Sequence, residues 1–414
     1  MTHAFTPPTL TGSGATYSVR RPGGDRPRWT DTHDSVVSAV GLAAAHATIA
    51  GWPGYAKTTQ HHLPGLAAKL GVADISLKDE STRFGLGSFK ALGGAYAVAR
   101  LLQRLAGETL DREVTMSEIT GRAVPEIAAA TTVCCATDGN HGRSVAWGAR
   151  NFGCRCVIFI HATVSEGRKA AIEAYGAEVR RCSGNYDDSV REAQATADRE
   201  GWFVVSDTSY PGYMDVPKDV MQGYELMADE AFSDLANPPT HVFLQTGVGG
   251  MAAAVAANAV RRWGDDRPAI VLCDPDRAAC WLDSLVAGEP VAVDGDLDTL
   301  MAGLACGEVS ALAWQILADF TDAVIALPDR TAIEAMKLVA NPVLGDPAVV
   351  AGESAVAGLA GLIAALQDKQ LAANLGLDRG SRIALFSTEG DTDPELYRDL
   401  VGRSAAEVLC ESAA

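Results

Sequence analysis

SLKDESTRFGLGSFKALGG, Ser76–Gly94, passes from an apolar run through a polar, glycine-bearing turn into a helical pattern rich in alanine and glycine. The pattern predicts a strand over 75–78, a turn over 79–87 and a helix over 88–102, with Ser88 as N-cap. That puts Lys90 in the first helical turn. A primary amine there, beside the positive end of the helix dipole and near Lys78 and Arg83, gives up its proton more readily than an ordinary lysine, as a Schiff-base nucleophile requires. The bland alternative is a solvated lysine on a helix surface.

Working outward, the strand–helix rhythm continues on the C-terminal side. Strands are expected over 132–135, 155–160, 178–181 and 203–205, with helices from His141, Ser165 and Asp187 between them. After a linker-like stretch, 207–217, come a helix over 216–232, strands over 241–245, 270–273, 323–327 and 382–386, and helices over 251–262 and 352–366. Repeated strand–helix units imply mostly parallel sheets flanked by helices, and two such series imply an α/β protein of two domains with the active site in the cleft between them. On the N-terminal side, helices are expected over 33–50 and 63–70. The boundaries follow: residues 1–34 an extended N-terminal arm, 35–95 and 216–414 a large cofactor-binding domain, and 96–215 a small domain.

Composition narrows the function. Over 414 residues the formal net charge is −18, which argues against nucleic acid and anionic membranes as partners. No run of about twenty apolar residues occurs, and no basic-then-apolar leader is recognised, so a cytoplasmic location is expected. The nine cysteines show no zinc-type spacing and no metal is expected; Cys280 and Cys306 form a bridge only if the fold joins them in spite of a reducing compartment.

Four further stretches carry chemistry, each with a plain alternative. Gly247, Val248, Gly249 and Gly250 follow an apolar strand and precede a helix of small residues, which is how backbone N–H groups are gathered for a phosphate. A dinucleotide site or a merely tight turn fits the same loop, which has Ala252 where a third fingerprint glycine belongs. In TDGNHGR, Thr137–Arg143, Asp138 can accept a proton or pair with an ammonium, and Asn140 can donate to an anionic oxygen or cap the helix. Asp207 ends another strand, where it lines a cleft or starts a turn. Ser387 and Thr388, in STEGDTD, can bond a ring nitrogen or cap a turn. Glu353 is expected in the first turn of its helix, complementing the dipole.

Taken in order, KDESTRFGLGSFKALGGAYA, ATDGNHGRSVAW, NYDDSVR, MQGYELMADEA, PTHVFLQTGVGGMA, TLMAGLACGE, GDPAVVAGESAVAGL and STEGDTD resemble the fold-type II pyridoxal-phosphate enzymes, the group of threonine dehydratase and tryptophan synthase β. Within that group the likeness is greatest to the diaminopropionate ammonia-lyases, and it spans about Leu77 to Tyr397. It implies pyridoxal 5'-phosphate as cofactor, Lys90 as its Schiff-base lysine, Gly247–Gly250 as the phosphate cradle, Asn140 at the ring oxygen, and Ser387 or Thr388 near the ring nitrogen. It further implies a small amino-acid substrate, 2,3-diaminopropionate, broken down to pyruvate and ammonia, and a homodimer. Asp138 and Asp207 match two cleft aspartates that serve opposite faces of the substrate, Asp138 for the D-enantiomer and Asp207 for the L-enantiomer. The sequence departs from the family at Lys57-Thr58-Thr59-Gln60, in place of a Pro-Thr-Pro-Leu turn.

Where the hydroxyamino-acid dehydratases carry a serine before Gly-Asn-His, this chain carries Asp138, a carboxylate that attracts a second ammonium. A serine or threonine dehydratase of the same fold remains the first alternative. A nicotinamide-dependent oxidoreductase using the glycine loop is a weaker one, because no complete dinucleotide fingerprint is present.

Overall fold

The runs read as strands pair into two sheets. In the computed structural model, which describes residues 5–21, 27–137, 139–184, 186–293, 295–341 and 345–412, the strands are β1 Thr9–Leu10, β2 Thr16–Val19, β3 Gln60–His62, β4 Asp74–Asp79, β5 Thr132–Ala136, β6 Arg155–Ile160, β7 Glu178–Arg181, β8 Phe203–Val204, β9 His241–Gln245, β10 Ala269–Pro275, β11 Ala323–Leu327 and β12 Arg382–Ser387. Contacts group the chain into one unit of Met1–Val36, Lys57–Thr82 and Met227–Ala414, and a second of Val37–Ala56 and Arg83–Leu226. No helix among the described residues is long and apolar enough to cross a membrane.

The first unit holds an eight-stranded sheet in the order β1-β2-β11-β10-β9-β12-β4-β3. Its five central strands, β11 to β4, are parallel, while β1, β2 and β3 run antiparallel at the edges. Every residue of β9 and β11 is buried, the continuous apolar run of a strand covered on both faces. The helix Ala357–Gln367 reaches the sheet because its contact residues are small: a Cβ on Gly358 would stand 2.7 Å from the Phe243 carbonyl oxygen, and one on Gly361 only 2.3 Å from Cys273 Sγ. This helix starts at Ala357 and not at Gly352. Glu353, expected in its first turn, therefore lies in a buried turn ahead of it, where Gly352 packs against the backbone of Gly390.

The residues ahead of Asp34, patternless in sequence, supply β1 and β2. β2 pairs with β11, some three hundred residues away, as in the register Tyr17–Ile325. Alternation need not show in such a strand, since its partner supplies the hydrogen bonds.

In the second unit four parallel strands run in the order β7-β6-β5-β8. The helix Ala91–Leu110 belongs here, whereas the sequence pattern joins residues 35–95 to the larger sheet. The reason is glycine packing. Ala91–Leu110 meets the helix Asn140–Phe152 so closely that a Cβ on Gly148 would fall 2.7 Å from Ala95 Cα, and one on Gly94 2.0 Å from Ser144 Oγ.

Candidate active site

Lys90 stands at the start of the Ala91–Leu110 helix, with helical torsions (φ −56°, ψ −27°), and its carbonyl accepts from Gly93 N and Gly94 N. Ser88 is not the cap; it is buried, and no side chain caps this helix. The two cations expected near it have partners of their own. Lys78 is fully buried and committed, its Nζ donating to Glu230 Oε2 at 2.8 Å and to the Thr58 carbonyl at 2.9 Å, while Arg83 donates to the Ala56 carbonyl. Lys90 instead faces an anion: its Nζ donates to Asp207 Oδ2 at 2.6 Å. A carboxylate that close favours the ammonium form.

The same Asp207 oxygen lies 3.8 Å from His141 Nδ1, and His141 Nε2 lies 2.8 Å from the Val205 carbonyl. A carbonyl oxygen only accepts, so Nε2 carries the proton in that bond. The imidazole thus ties the end of the β8 strand to the turn that presents Asp207. Burial acts to raise the Asp207 carboxyl, but the Lys90 ammonium and then His141 outweigh it and hold the group below the usual carboxylate range. Beside the amine stand two aromatic rings, Phe89 at 5.3 Å and Tyr224 at 5.7 Å from Nζ, both favourable to a cation. The Tyr224 hydroxyl is buried, and burial pushes it well above its ordinary range while Lys90 acts to lower it.

Asn140 opens its helix as the first residue and not as the cap. The capping work falls to Thr137, whose Oγ1 accepts from Gly139 N at 3.1 Å and Gly142 N at 3.3 Å. The half-buried Asn140 is thereby relieved of the bland role that sequence allowed it. Asp138, between them, lies outside the described residues.

In the first unit, Gly247 and Val248 lead from β9 into the helix Gly250–Trp263 through Gly249, at φ +96°. Only glycine suits that position. The torsion is left-handed, and a Cβ would overlap the Trp281 ring at 2.2 Å. Trp281 Nε1 donates to the Gly247 carbonyl at 2.9 Å, and the loop runs into a helix start, where the first N–H groups have no partner within the helix. The neighbouring strand β12 ends at Ser387, whose Oγ is buried without a partner among the described residues. Thr388 is differently placed: its Oγ1 accepts from Gln245 Nε2 at 2.8 Å, and the same nitrogen reaches the Phe386 carbonyl at 2.8 Å. A glycine cradle with no room for side chains and an orphaned hydroxyl on the adjacent strand end fit a phosphorylated heterocycle with a ring nitrogen to bond. Cys280 and Cys306, which both border Gly247, are not joined in a disulfide.

A family model described as pyridoxal-phosphate dependent enzyme matches residues 52–388. The chain belongs to that family. It is a pyridoxal-phosphate enzyme of fold type II. A curated relative, the diaminopropionate ammonia-lyase of Salmonella typhimurium, is 40% identical over 369 residues, covering 85% of this chain and 90% of the relative. That of Escherichia coli strain K12 is 42% identical over 356 residues, covering 84% and 88%. Among solved structures, the Escherichia coli diaminopropionate ammonia lyase in complex with an aminoacrylate–PLP azomethine reaction intermediate superposes with a TM-score of 0.84 at 35% identity, over 95% of this chain and 98% of that one.

Sequence reasoning missed several residues that touch the candidate residues within each unit. Trp281 and Gln245 act on the glycine loop and on Thr388 from elements with no motif of their own, and Tyr224 reaches Lys90 from the helix Asp215–Ser233.

Proposed function

We propose that this enzyme removes both amino groups of 2,3-diaminopropionate, by α,β-elimination to aminoacrylate and ammonia and then hydrolysis to pyruvate and a second ammonia. Pyridoxal phosphate, when bound, supplies the electron sink for the charge left on Cα. Lys90 provides the amine that holds the cofactor, Gly247–Gly250 bind its phosphate through backbone N–H groups, Ser387 with Thr388 beside it meets the ring nitrogen, and Asn140 meets the ring oxygen.

The observation that carries the reading is the contact between Lys90 Nζ and Asp207. While Lys90 is an ammonium, Asp207 is its counter-ion and a weak base. Once Lys90 is neutral, burial acts on Asp207 with less opposition and raises its basicity. The carboxylate thus becomes able to take a proton from Cα only when the amine is engaged. In this reading Asp207 serves the L-enantiomer and Asp138 the D-enantiomer, and the two acids also suit a substrate with a second ammonium on Cβ. The proposal includes a homodimer and a cytoplasmic location, the latter supported by nine cysteines without a disulfide among them.

The test is release of pyruvate and ammonia from D- and L-diaminopropionate, serine and threonine by the cofactor-saturated enzyme. Diaminopropionate is expected to give two ammonia per pyruvate and the highest kcat/KM. A higher value on serine or threonine would reassign the chain to the hydroxyamino-acid dehydratases.

A further inference from the structure

Asp274, near the end of β10, is fully buried and has no part in the chemistry above. Both of its oxygens are engaged. Thr246 Oγ1 donates to Oδ1, and the backbone N–H groups of Trp281 and Leu282 donate to Oδ2 at 3.0 and 3.2 Å. Two of these donors belong to residues that build the glycine loop. Thr246 immediately precedes Gly247. Trp281 bonds the Gly247 carbonyl through Nε1, and its ring fills the space that a side chain on Gly249 would need. The Trp281 ring is itself backed by Trp314, stacked at 6.0 Å between centroids.

We propose that Asp274 is a positioning residue for phosphate binding: one carboxyl group fixes Thr246 and Trp281 and, through them, the direction in which the Gly247–Gly250 backbone presents its N–H groups to a phosphate monoester. The inference rests on that loop being the phosphate site. The electrostatics agree with it. Burial, outweighing three hydrogen bonds that favour the anion, pushes the Asp274 carboxyl up to about 7, and Asp283 adds to the rise. A carboxyl group that is neutral over much of the range near pH 7 can hold its donors without setting a full negative charge behind a bound phosphate.

The experiment compares equilibrium binding of pyridoxal 5'-phosphate and of pyridoxal, which lacks the phosphate, to the apo-protein. Asp274→Ala is expected to weaken pyridoxal phosphate binding by about 10–100-fold, the scale of one or two buried donors left unsatisfied, while pyridoxal binding changes by less than about twofold. Asp274→Asn, which can accept from both N–H groups and donate to Thr246, is expected to restore affinity to within about threefold of the parent. Should Asp274→Ala not fold, Thr246→Val, which keeps the shape and removes one bond, is read by the same criterion. Equal loss of both ligands, or loss of neither, overturns the inference. Gly249→Val separates this failure from failure of the loop reading: if that variant leaves the advantage of pyridoxal phosphate over pyridoxal intact, the loop is not the phosphate site and the inference falls with it.

Discussion

The glycine loop of the first unit and the Lys90 region of the second are held in different ways. Around Gly247–Gly250 the restraints are numerous, buried and uncharged in character: a left-handed glycine, a tryptophan ring beneath it and a carbonyl bonded to the indole N–H. Around Lys90 the restraints described include a charged one, a half-buried ion pair to Asp207, with the Phe89 and Tyr224 rings near the amine. A group that only binds gains from being fixed, because preorganised N–H groups need no rearrangement when the anion arrives. A group that must change partners during the reaction cannot be fixed so completely. An ion pair whose strength vanishes when one member loses its charge is suited to that.

The contrast is broken most severely at the amine. Lys90→Ala is expected to bring pyruvate release from diaminopropionate below detection, a loss beyond the ~10²–10⁴ that a general base alone accounts for, because nucleophile and proton carrier disappear together. Cofactor affinity should persist in part through the glycine loop. Turnover near the parent rate would overturn the assignment of Lys90.

Next in size are the carboxylates. Asp207→Asn is expected to lower turnover of L-diaminopropionate by roughly 10²–10⁴ with a smaller effect on the D-form, and Asp138→Asn the reverse. Initial rates on each pure enantiomer at saturating cofactor measure this. Equal losses on both would assign the acids to shared binding of the β-ammonium.

The binding half should respond differently. Gly249→Val must adopt a left-handed torsion and displace the Trp281 ring, costs of about 1–2 and 1–3 kcal/mol, so pyridoxal phosphate affinity should fall by at least about 30-fold. Excess cofactor should recover much of the rate. A rate that stays low at saturation would mean that the loop also acts in the chemical step.

The smallest effect concerns stability. The Asp207 carboxyl is depressed in the folded state, since Lys90 and His141 outweigh burial. Its stabilisation is therefore present above the unfolded value of about 3.9 and is lost as pH falls through the lower folded value. Asp207→Asn should lower the stability of the apo-protein by about 1–2 kcal/mol at pH 7, and the gap to the parent should narrow below about pH 4. Thermal unfolding across that range is the measurement. A gap that widens in acid would show that the pair does not stabilise the second unit.

Much of the fold was legible because its central strands are unbroken apolar runs. His241–Gln245, Ala323–Leu327 and Arg155–Ile160 lie where the hydrophobic pattern puts them. The placement of Lys90 at a helix start, and of the glycine loop and Ser387 at strand ends, was legible for a related reason: such places are marked by glycine and hydroxyl residues whose local chemistry is independent of distant partners.

Other features depended on partners that no local pattern names. β2 is a strand because β11 accepts it, and the Ala91–Leu110 helix stands with the four-stranded sheet because Gly94 and Gly148 allow contacts no larger residue would. Thr137 rather than Asn140 caps its helix, and the turn at Gly352 delays the next helix to Ala357 by packing on Gly390. The charge state around Lys90 is the clearest case. Sequence placed an amine at a helix start near two cations; tertiary structure also set Asp207 2.6 Å from it, more than one hundred residues on. Residue types and spacing determined which groups were available, but a proton's affinity depends on charges and burial within a few ångströms, and those distances exist only in the folded chain.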